Sequence, residues 1–372
     1  MKVAIIHYWF ITRRGGEKVV ESILKQYPEA DIYTLFYDPK VYGDYIESHK
    51  VYTSILNTPL LRKYYQKLFP LYPMGIRSLK LKDDYDFIIS SESGPSKGVK
   101  IPNNAPHICY IHSPMRYAWS HQETYVSSVP KLLRPIMRFF LKRLKKWDQT
   151  TIDNVDLYIA NSSNVARRVQ KYYKRSSKVV FPPIAESLFE RDKKQRSKEF
   201  YLSFGALTPY KKIDLLIDVF NKNGKRLVVI GEGSEKEKLK KRAKNNIEFK
   251  TCQSWDEVEV NLLRSKALLF PGEEDFGMIP LEVMAYGIPV IAYGKGGALE
   301  TVVENRVNVE ESSGLFFEEQ TTQSLEKIIT DFETIEHRFT SEWIINHAKN
   351  FRERNFISNF QKELSNYLNQ KT

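Results

Sequence analysis

Two glutamates, Glu274 and Glu282, stand with seven residues between them in the most glycine-rich part of the chain. They follow the apolar run Ala267–Phe270, whose composition predicts a buried strand, so they fall at its carboxyl end. Open α/β sheets bind ligands at that edge. The residues from Phe276 to Met278 open a predicted helix whose first backbone N–H groups can meet an anion. Carboxylates beside amide donors fit a ligand that carries hydroxyls and phosphates, as a sugar nucleotide does.

Glycines crowd the same window, at Gly272, Gly277, Gly287, Gly294, Gly296 and Gly297. Such density usually marks tight turns and close approach of the backbone to a ligand. Two glutamates at this spacing are also common on solvated helices, so the spacing alone does not distinguish a site from a helix surface. The glycines favour the site.

Two further loops of the C-terminal half also follow strands and contain residues suited to a nucleotide. Lys211 and Lys212 lie at the start of a predicted helix, where cations oppose the macrodipole unless an anion joins them. A phosphate beside Lys211 would supply that anion, although two lysines in a solvated loop remain the alternative. The glycine turn around Gly231 and Glu232 follows another strand and suits a base or ribose.

The N-terminal half offers a glycine loop and a histidine. Gly15 and Gly16 stand between the first strand and a helix, where the backbone can approach a diphosphate. His112 ends the strand that begins at His107 and is followed by Ser-Pro-Met-Arg116; its position at a strand tip favours a site over a structural hydrogen bond. The pair Asp84 and Asp86 has the spacing of a metal-binding motif, but it precedes a strand as ordinary turn acids do, and we expect no metal there.

The bulk composition sets the class of protein. The chain has 372 residues, 42% of them hydrophobic, and a formal net charge of +12, which indicates a globular protein of two domains with an anionic partner. Its two cysteines, Cys109 and Cys252, lack metal-ligand spacing and indicate a reducing cytoplasm. The apolar start, Met1 to Ile6, predicts a first strand rather than a signal peptide.

One basic segment indicates a membrane surface. Between Lys131 and Trp147 basic and apolar residues interleave without an acid, which is typical of an amphipathic helix on anionic lipid. The segment from Leu60 to Tyr72 has the same mixture. A core-packing helix with a solvated basic face is the alternative. Nucleic acid is not expected as a partner, because no recognised nucleic-acid module accompanies the basic residues.

Strands and amphipathic helices alternate through both halves, which predicts an α/β fold of two doubly wound, Rossmann-like domains facing each other across a cleft. The alternation breaks at Phe181-Pro182-Pro183 and in the polar run Arg191–Lys198, which has the composition of a linker. The last residues, from about Ser341 to Leu368, have the pattern of an amphipathic helix.

The motifs together resemble those of retaining glycosyltransferases of family 4 with GT-B architecture, and in particular of bacterial mannosyltransferases that build O-antigen and capsule polysaccharides from GDP-mannose. The resemblance covers nearly the whole chain. It depends on the Glu-x7-Glu segment, the Arg-Gly-Gly-Glu-Lys loop that contains Gly16, the His112-Ser-Pro-Met-Arg-Tyr-Ala-Trp119 segment and Pro209-Tyr-Lys-Lys-Ile-Asp214. It implies an N-terminal acceptor-side domain over 1–185, a nucleotide-sugar-binding domain over 186–345, and a C-terminal helix in 346–372 that crosses back to the first domain.

The resemblance also implies roles. Glu274 would contact the donor sugar at the reacting centre and Glu282 the ribose, while Gly16 and Lys211 hold the diphosphate and His112 lies beside the sugar on the acceptor side. The catalytic set is then Glu274, His112 and Lys211, and no catalytic metal or other cofactor is expected. The other nucleotide-sugar-binding residues are Gly15, Lys212, Gly231, Glu232, Phe276, Gly277 and Met278. The acceptor or membrane side would hold Arg116, Arg138, Lys142, Arg143, Lys145 and Lys146.

One departure from the family pattern is Ala206, where arginine is frequent. The missing charge-assisted contact to a diphosphate is typically worth about 1.5–3 kcal/mol, and Lys212 or Arg14 could replace it. We expect a hexose, mannose above all, to pass from its nucleotide to a hydroxyl of a polyprenyl-linked or oligosaccharide acceptor, in the cytoplasm and on the inner face of the membrane. No residue stands out as a nucleophile, which favours attack from the front face. A UDP-linked donor, a sugar-nucleotide epimerase, a phosphorylase and a non-catalytic scaffold subunit stay open as alternatives.

Overall fold

The computed structural model describes residues 1–127, 129–191 and 196–371. They form two compact units: the first contains Met1–Pro183 and the chain from Phe356 onward, and the second contains Ile184–Asn355. The expected third segment is therefore divided, since residues 346–355 belong to the second unit. The predicted linker Arg191–Lys198 falls in part on residues 192–195, which lie outside the described residues.

The first unit is built on a parallel sheet. Over the described residues it has seven strands in the order β3-β2-β1-β4-β5-β6-β7. In chain order they are β1 Val3–Phe10, β2 Asp31–Tyr37, β3 Val51–Thr53, β4 Phe87–Glu92, β5 His107–Ile111, β6 Leu157–Ala160 and β7 Lys178–Val179. The central strands are buried on both faces, which explains why apolar residues fill most of β1 and β5.

Helices cover the two faces of this sheet. They are α1 Gly15–Leu24, α2 Pro39–Ile46, α3 Pro59–Arg62, α4 Tyr72–Ser78, α5 Gln122–Ser127, α6 Arg134–Thr150 and α7 Ser163–Tyr173. Short 3-10 turns lie at Tyr65–Leu71, Ser96–Gly98, Lys131–Leu133 and Ile152–Asn154. The boundaries follow local chemistry: the hydroxyl of Ser162 caps α7 by accepting from Val165 N (3.1 Å), and Pro135 occupies the first turn of α6.

The second unit repeats the plan. Its described residues form a six-stranded parallel sheet in the order β10-β9-β8-β11-β12-β13. The strands are β8 Phe200–Phe204, β9 Leu227–Ile230, β10 Ile247–Lys250, β11 Ser265–Phe270, β12 Val290–Tyr293 and β13 Gly314–Phe317. The helices are α8 Ser187–Glu190, α9 Ile213–Asn223, α10 Lys236–Arg242, α11 Trp255–Leu263, α12 Met278–Met284, α13 Ala298–Thr301, α14 Thr322–Ile335 and α15 Ser341–Ala348, with 3-10 turns at Pro209–Lys211, Val309–Glu311, Glu336–Arg338 and Lys349–Phe351.

The last helix, α16 Glu353–Lys371, begins in the second unit and continues into the first. Its apolar side chains Phe356, Phe360 and Leu364 are buried in the core around β1 and α1. The predicted single helix from Ser341 is instead α15, a 3-10 turn and α16. None of the helices in the described ranges combines the length and the apolarity needed to cross a membrane.

Candidate active site

The second sheet has a topological switch point between β8 and β11. These strands are neighbours, and the strands that follow each of them extend the sheet in opposite directions. Such a point leaves a crevice at the carboxyl ends of the strands. The loops that follow β8 and β11 meet there: a Cβ atom built on Gly272 would lie 2.9 Å from Lys211 Cα. Glycine is needed at 272 because the two backbones touch.

Lys211 and Glu274 form an ion pair at this crevice, between Nζ and Oε1. Their side chains are only 12% and 14% exposed. Lys211 Nζ also lies 5.6 Å from the ring centroid of Phe270. The cation and the acid that the sequence singled out independently therefore lie together, in a setting with less solvent screening than a surface pair has.

A third loop holds the backbone of Glu274 in place. Gly297 N donates to Glu274 O (2.8 Å), and Glu274 pairs with Gly296 as an isolated parallel bridge. A Cβ atom on Gly296 would lie 2.4 Å from Glu274 O, and one on Gly297 would lie 2.1 Å from Phe276 Cα. The glycine-rich sequence predicts close approach of a ligand; at these two positions the close approach is between backbone segments.

Glu282 and Gly277 belong to the short helix α12. Gly277 is its N-cap in a left-handed conformation, with φ +95°. Phe276 is buried just before the cap, and Glu282 is buried inside the helix at 7% exposure. α12 has seven residues, so its dipole is small compared with that of a long helix. Met278 opens the helix, as predicted.

The loops after β8 and β9 pack against one another. Gly231 has φ +155°, and a Cβ atom on it would lie 1.8 Å from Gly205 O, so packing alone explains that glycine. Lys212 caps α9 with φ +56°, and Ala206 is exposed.

Glu232, in the same loop, has its carboxylate engaged. It pairs with Lys236 and accepts from Thr251 Oγ1 (2.6 Å). The hydrogen bonds from Lys236 and Thr251 lower its pKa. Contact of Glu232 with a base or ribose stays a prediction.

In the first unit, Gly16 and His112 lie together at the carboxyl ends of β1 and β5. Gly15 begins α1, and a Cβ atom on Gly16 would lie 3.6 Å from His112 Nε2 and 3.7 Å from Tyr8 Oη. Glu17, the next residue, is buried, and its burial raises its pKa to about 7. A bare glycine backbone thus faces an imidazole.

His112 is positioned by a neighbour that sequence reasoning missed. Its Nε2 lies 2.8 Å from Ser91 Oγ, and its backbone N donates to Glu92 O (2.8 Å). His7, in register with Ser91 across β1 and β4, is buried, and its pKa is well below its usual value because of burial and the nearby His112. Only the carboxyl-end location of β4 beside β5 could have pointed to Ser91.

A buried ionic cluster lies beside this histidine. Lys97 and Asp148 are fully buried and form an ion pair, with Thr151 Oγ1 2.8 Å from Lys97 Nζ. Asp148 Oδ2 accepts from Trp119 Nε1 (2.8 Å) and Tyr173 Oη (2.9 Å). Since Asp148 belongs to α6 and Lys97 follows β4, this cluster fastens the C-terminal part of α6 to the sheet.

Glu92 is the second buried carboxyl of the cluster. Lys97 N donates to its Oε2 (2.9 Å), whereas its Oε1 has no hydrogen-bond partner among the described residues. Burial, partly offset by Lys97 and reinforced by Asp148, raises the pKa of Glu92 from 4.5 to about 8. The neutral carboxyl is therefore favoured in the folded protein.

We expect the Glu92→Gln variant to remove a pH dependence of stability. The folded state binds this proton more tightly than the unfolded state, so its contribution is complete below about pH 4.5 and is lost as the pH rises through about 8. At about 1.4 kcal/mol per pKa unit, the loss is at most a few kcal/mol. Urea unfolding from pH 5 to pH 9 should show wild type losing stability relative to the variant. The exposed Glu29→Gln is the control, and parallel curves for wild type and Glu92→Gln would contradict the assignment.

The basic residues assigned to the acceptor or membrane side have different surroundings. Arg138 pairs with Glu123 (2.8 Å) on the surface, and the guanidinium of Arg143 lies 5.6 Å from the Phe139 ring centroid. Lys145 lies 4.3 Å above the Trp119 ring. Arg116 is half-buried, while Lys142 and Lys146 are exposed.

Asp84 and Asp86 lie at the other edge of the first sheet. Lys2 Nζ is 2.5 Å from Asp84 Oδ2, and Lys2 N donates to Asp86 Oδ2 (2.8 Å). Both acids precede β4, whereas His112 follows β5 and Ser91 is near the end of β4. The two aspartates are thus separated from the candidate site by the length of a strand.

Each unit has a parallel sheet whose carboxyl edge carries loops suited to a ligand, which is the architecture of two-domain, Rossmann-like enzymes. Comparisons with known proteins agree with that class. The Glycosyltransferase Family 4 domain matches residues 13–184, and the domain described as Glycosyl transferases group 1 matches residues 184–354. The Anabaena protein HepE in complex with UDP-glucose superposes with a TM-score of 0.71 at 17% identity, over 98% of this chain and 99% of that one. The predicted GT-B α/β fold is confirmed.

Relatives found by sequence are also named as glycosyltransferases. An uncharacterized glycosyltransferase of Methanocaldococcus jannaschii is 27% identical over 318 residues, 82% of each chain. The alpha-1,3/1,6-mannosyltransferase ALG2 of Dictyostelium discoideum is 22% identical over 316 residues, 72% of each chain. The chain belongs to the family 4 glycosyltransferases of GT-B fold.

Proposed function

We propose that the protein transfers mannose from GDP-mannose, with retention of configuration, to a hydroxyl of a lipid-linked or growing glycan acceptor in surface-polysaccharide synthesis. The observation that carries the proposal is the Lys211–Glu274 pair at the switch point of the second sheet. Relatives named as mannosyltransferases support mannose as the transferred sugar. The resemblance of the motifs supports GDP as the nucleotide.

The pair explains how the donor would be activated. When the C1–O bond to the diphosphate breaks, negative charge collects on the leaving GDP, and a cation already held in place stabilises it without reorganisation. Lys211 is that cation. Glu274 would orient Lys211 through their ion pair and contact the donor sugar.

The second half of the reaction needs an acceptor oxygen. The acceptor hydroxyl forms the new bond to C1 on the face from which GDP departs, and its proton passes to the departing phosphate oxygen. Atoms and charges balance without a covalent enzyme intermediate.

The acceptor side is proposed to involve His112, with Gly16 nearby, in the first unit. We also place the protein at the inner face of an anionic membrane, where a polyprenyl-linked acceptor would be found. No cofactor or catalytic metal is part of the proposal.

Thermal-shift measurements test the choice of donor. A ligand of the folded state at about 100 times its Kd stabilises by about 2.7 kcal/mol, so GDP and GDP-mannose should raise the melting temperature by several degrees while UDP and ADP sugars do so less. Stabilisation by UDP sugars alone would contradict GDP as the nucleotide. Conversion of GDP-mannose to an epimer in the absence of acceptor would contradict the transferase reaction itself.

A further inference from the structure

The N-terminal half of α6 exposes large apolar side chains. Ile136 is 53% and Phe139 55% exposed, and Leu132, in the preceding turn, is 91% exposed. At about 100° per residue, Ile136, Phe139 and Phe140 share one helix face. This face is too apolar to be a simple solvated surface, and the alternative of a core-packing helix with only its basic side in water does not hold for this half of α6.

The helix cannot turn to bury that face. A neighbouring face, with Leu141, Leu144 and Asp148, is buried in the first unit. The ion pair between Asp148 and Lys97 fastens it further. Side chains at 136 and 139 are thus presented outward by a rigid element.

A second segment of the same unit extends the patch. Leu60 is 67% exposed, and Tyr64 and Met74 are each about half exposed. The turn Tyr65–Leu71 packs against α6, with Phe69 in the cluster that includes Leu144. The turn Tyr65–Leu71 thus joins the two segments that the sequence singled out separately. Their exposed apolar residues, Leu60, Tyr64, Met74, Leu132, Ile136 and Phe139, and the basic residues among them are hereafter called the apolar-basic patch.

Charge indicates what covers this patch. Residues 48–82 and 124–147 contain no aspartate or glutamate. Their basic residues are Lys50, Arg62, Lys63, Lys67, Arg77, Lys80 and Lys82 in the first range, and Lys131, Arg134, Arg138, Lys142, Arg143, Lys145 and Lys146 in the second. The neighbouring Glu123 pairs with Arg138. The occupant is therefore anionic as well as apolar.

We propose that the apolar-basic patch docks on an anionic lipid bilayer by inserting Ile136, Phe139 and Leu60 between the headgroups while the flanking lysines bind lipid phosphates. A bilayer combines an apolar interior with an anionic surface. A second copy of the chain fits less well, because a twofold contact through this patch would bring like charges together. The inference deepens the proposed function by specifying how the protein reaches a lipid-linked acceptor. The statement that the docked protein meets such an acceptor rests on that function.

Vesicle cosedimentation tests insertion against purely electrostatic binding. The probe is vesicles of phosphatidylcholine with phosphatidylglycerol, in low salt and in about 1 M NaCl, where the Debye length is about 3 Å. Wild type should keep part of its binding at high salt. Ile136→Asp with Phe139→Asp should lower the partition coefficient at least tenfold in both conditions, and Lys142→Gln with Lys146→Gln should lower it only at low salt. Val260→Asp, an exposed aliphatic residue of α11 in the other unit, is the matched control.

Melting temperatures check that these exposed substitutions leave the fold intact. Binding of Ile136→Asp/Phe139→Asp equal to that of wild type would overturn the proposal, as would complete loss of wild-type binding at high salt. If the substitutions change the sedimentation coefficient but leave vesicle binding unchanged, the patch would be assigned to self-association instead.

An activity measurement separates this inference from the proposed function. With a water-soluble acceptor, the insertion variants should transfer mannose as wild type does. If no protein transfers mannose but the vesicle results hold, the proposed reaction fails and the docking surface stands.

Discussion

Replacing Glu274 by glutamine should lower kcat/KM for mannosyl transfer by about 10²–10³-fold, and replacing Lys211 by alanine should do so comparably. A preorganised charge that meets the developing anion is worth about 2.7–4 kcal/mol in related sites. Because the two side chains form one low-exposure ion pair, the variant that lacks both should be little worse than either single variant. Groups that act as a unit give such non-additive losses.

The matched control for this cycle is Lys222→Ala. Lys222 pairs with Glu326 on the surface of α9 and is well exposed, and surface pairs of this kind contribute little. Steady-state kinetics with varied GDP-mannose should leave it within about twofold of wild type. Losses that multiply in the Glu274/Lys211 double variant would show that the two residues act independently and contradict the paired role.

Replacing Gly297 by alanine should be strongly destabilising, by several kcal/mol, or should displace the Glu274 loop and abolish activity. The new Cβ atom would lie 2.1 Å from Phe276 Cα and 2.4 Å from Phe276 O, and backbone atoms cannot move aside as a side-chain tip can. The φ of Gly297 is −71°, so space and not backbone strain is the cause.

Gly43→Ala is the control for that substitution. Gly43 lies in α2, and no atom lies within 4 Å of its built Cβ. Alanine there should stabilise by about 0.5–1 kcal/mol because glycine is a poor helix former. Urea unfolding of both variants measures the contrast. A Gly297→Ala protein with the stability and activity of wild type would contradict the packing of the 271–277 and 294–297 loops.

The fold could be predicted from the alternation of buried strands and amphipathic helices, since parallel strands are apolar on both faces and helices are not. The alternation did not show the edge strands β3 and β7, which have only three and two residues, or the edge strand β13, which begins at a glycine. The chain's return to the first unit at Phe356 was expected ten residues earlier, because α15 and α16 are amphipathic alike and their composition does not show which core each one joins.

The candidate site likewise has residues that the local sequence marks and residues that it does not. Lys211, Glu274, Gly16 and His112 stand in loops that follow strands, and glycines crowd the loops of Glu274 and Gly16, which is a local signal. The hydrogen bond of His112 to Ser91 and the ion pair of Lys97 with Asp148 link residues far apart in sequence, and no local pattern marks them. Asp148 in particular closes a basic helix and would be taken for a solvated charge, yet it is fully buried.

The alanine at position 206 affects how much positive charge lies beside the Lys211–Glu274 ion pair. It is exposed in the loop that leads to Lys211, so an arginine there would add a second cation at the same crevice. In the proposed function, Lys211 is the cation at the diphosphate, and alanine at 206 adds no charge beside it. The proposed activity therefore depends on the Lys211–Glu274 pair.

The most direct test is transfer of radiolabelled mannose from GDP-mannose to a bacterial lipid extract by purified wild-type protein and by Glu274→Gln at equal concentration. We predict a labelled, chloroform-soluble glycolipid with wild type and a loss of at least 100-fold in its rate of formation with the variant. Equal rates for the two proteins, or labelling by wild type from UDP-linked but not GDP-linked sugar, would contradict mannosyl transfer through Glu274.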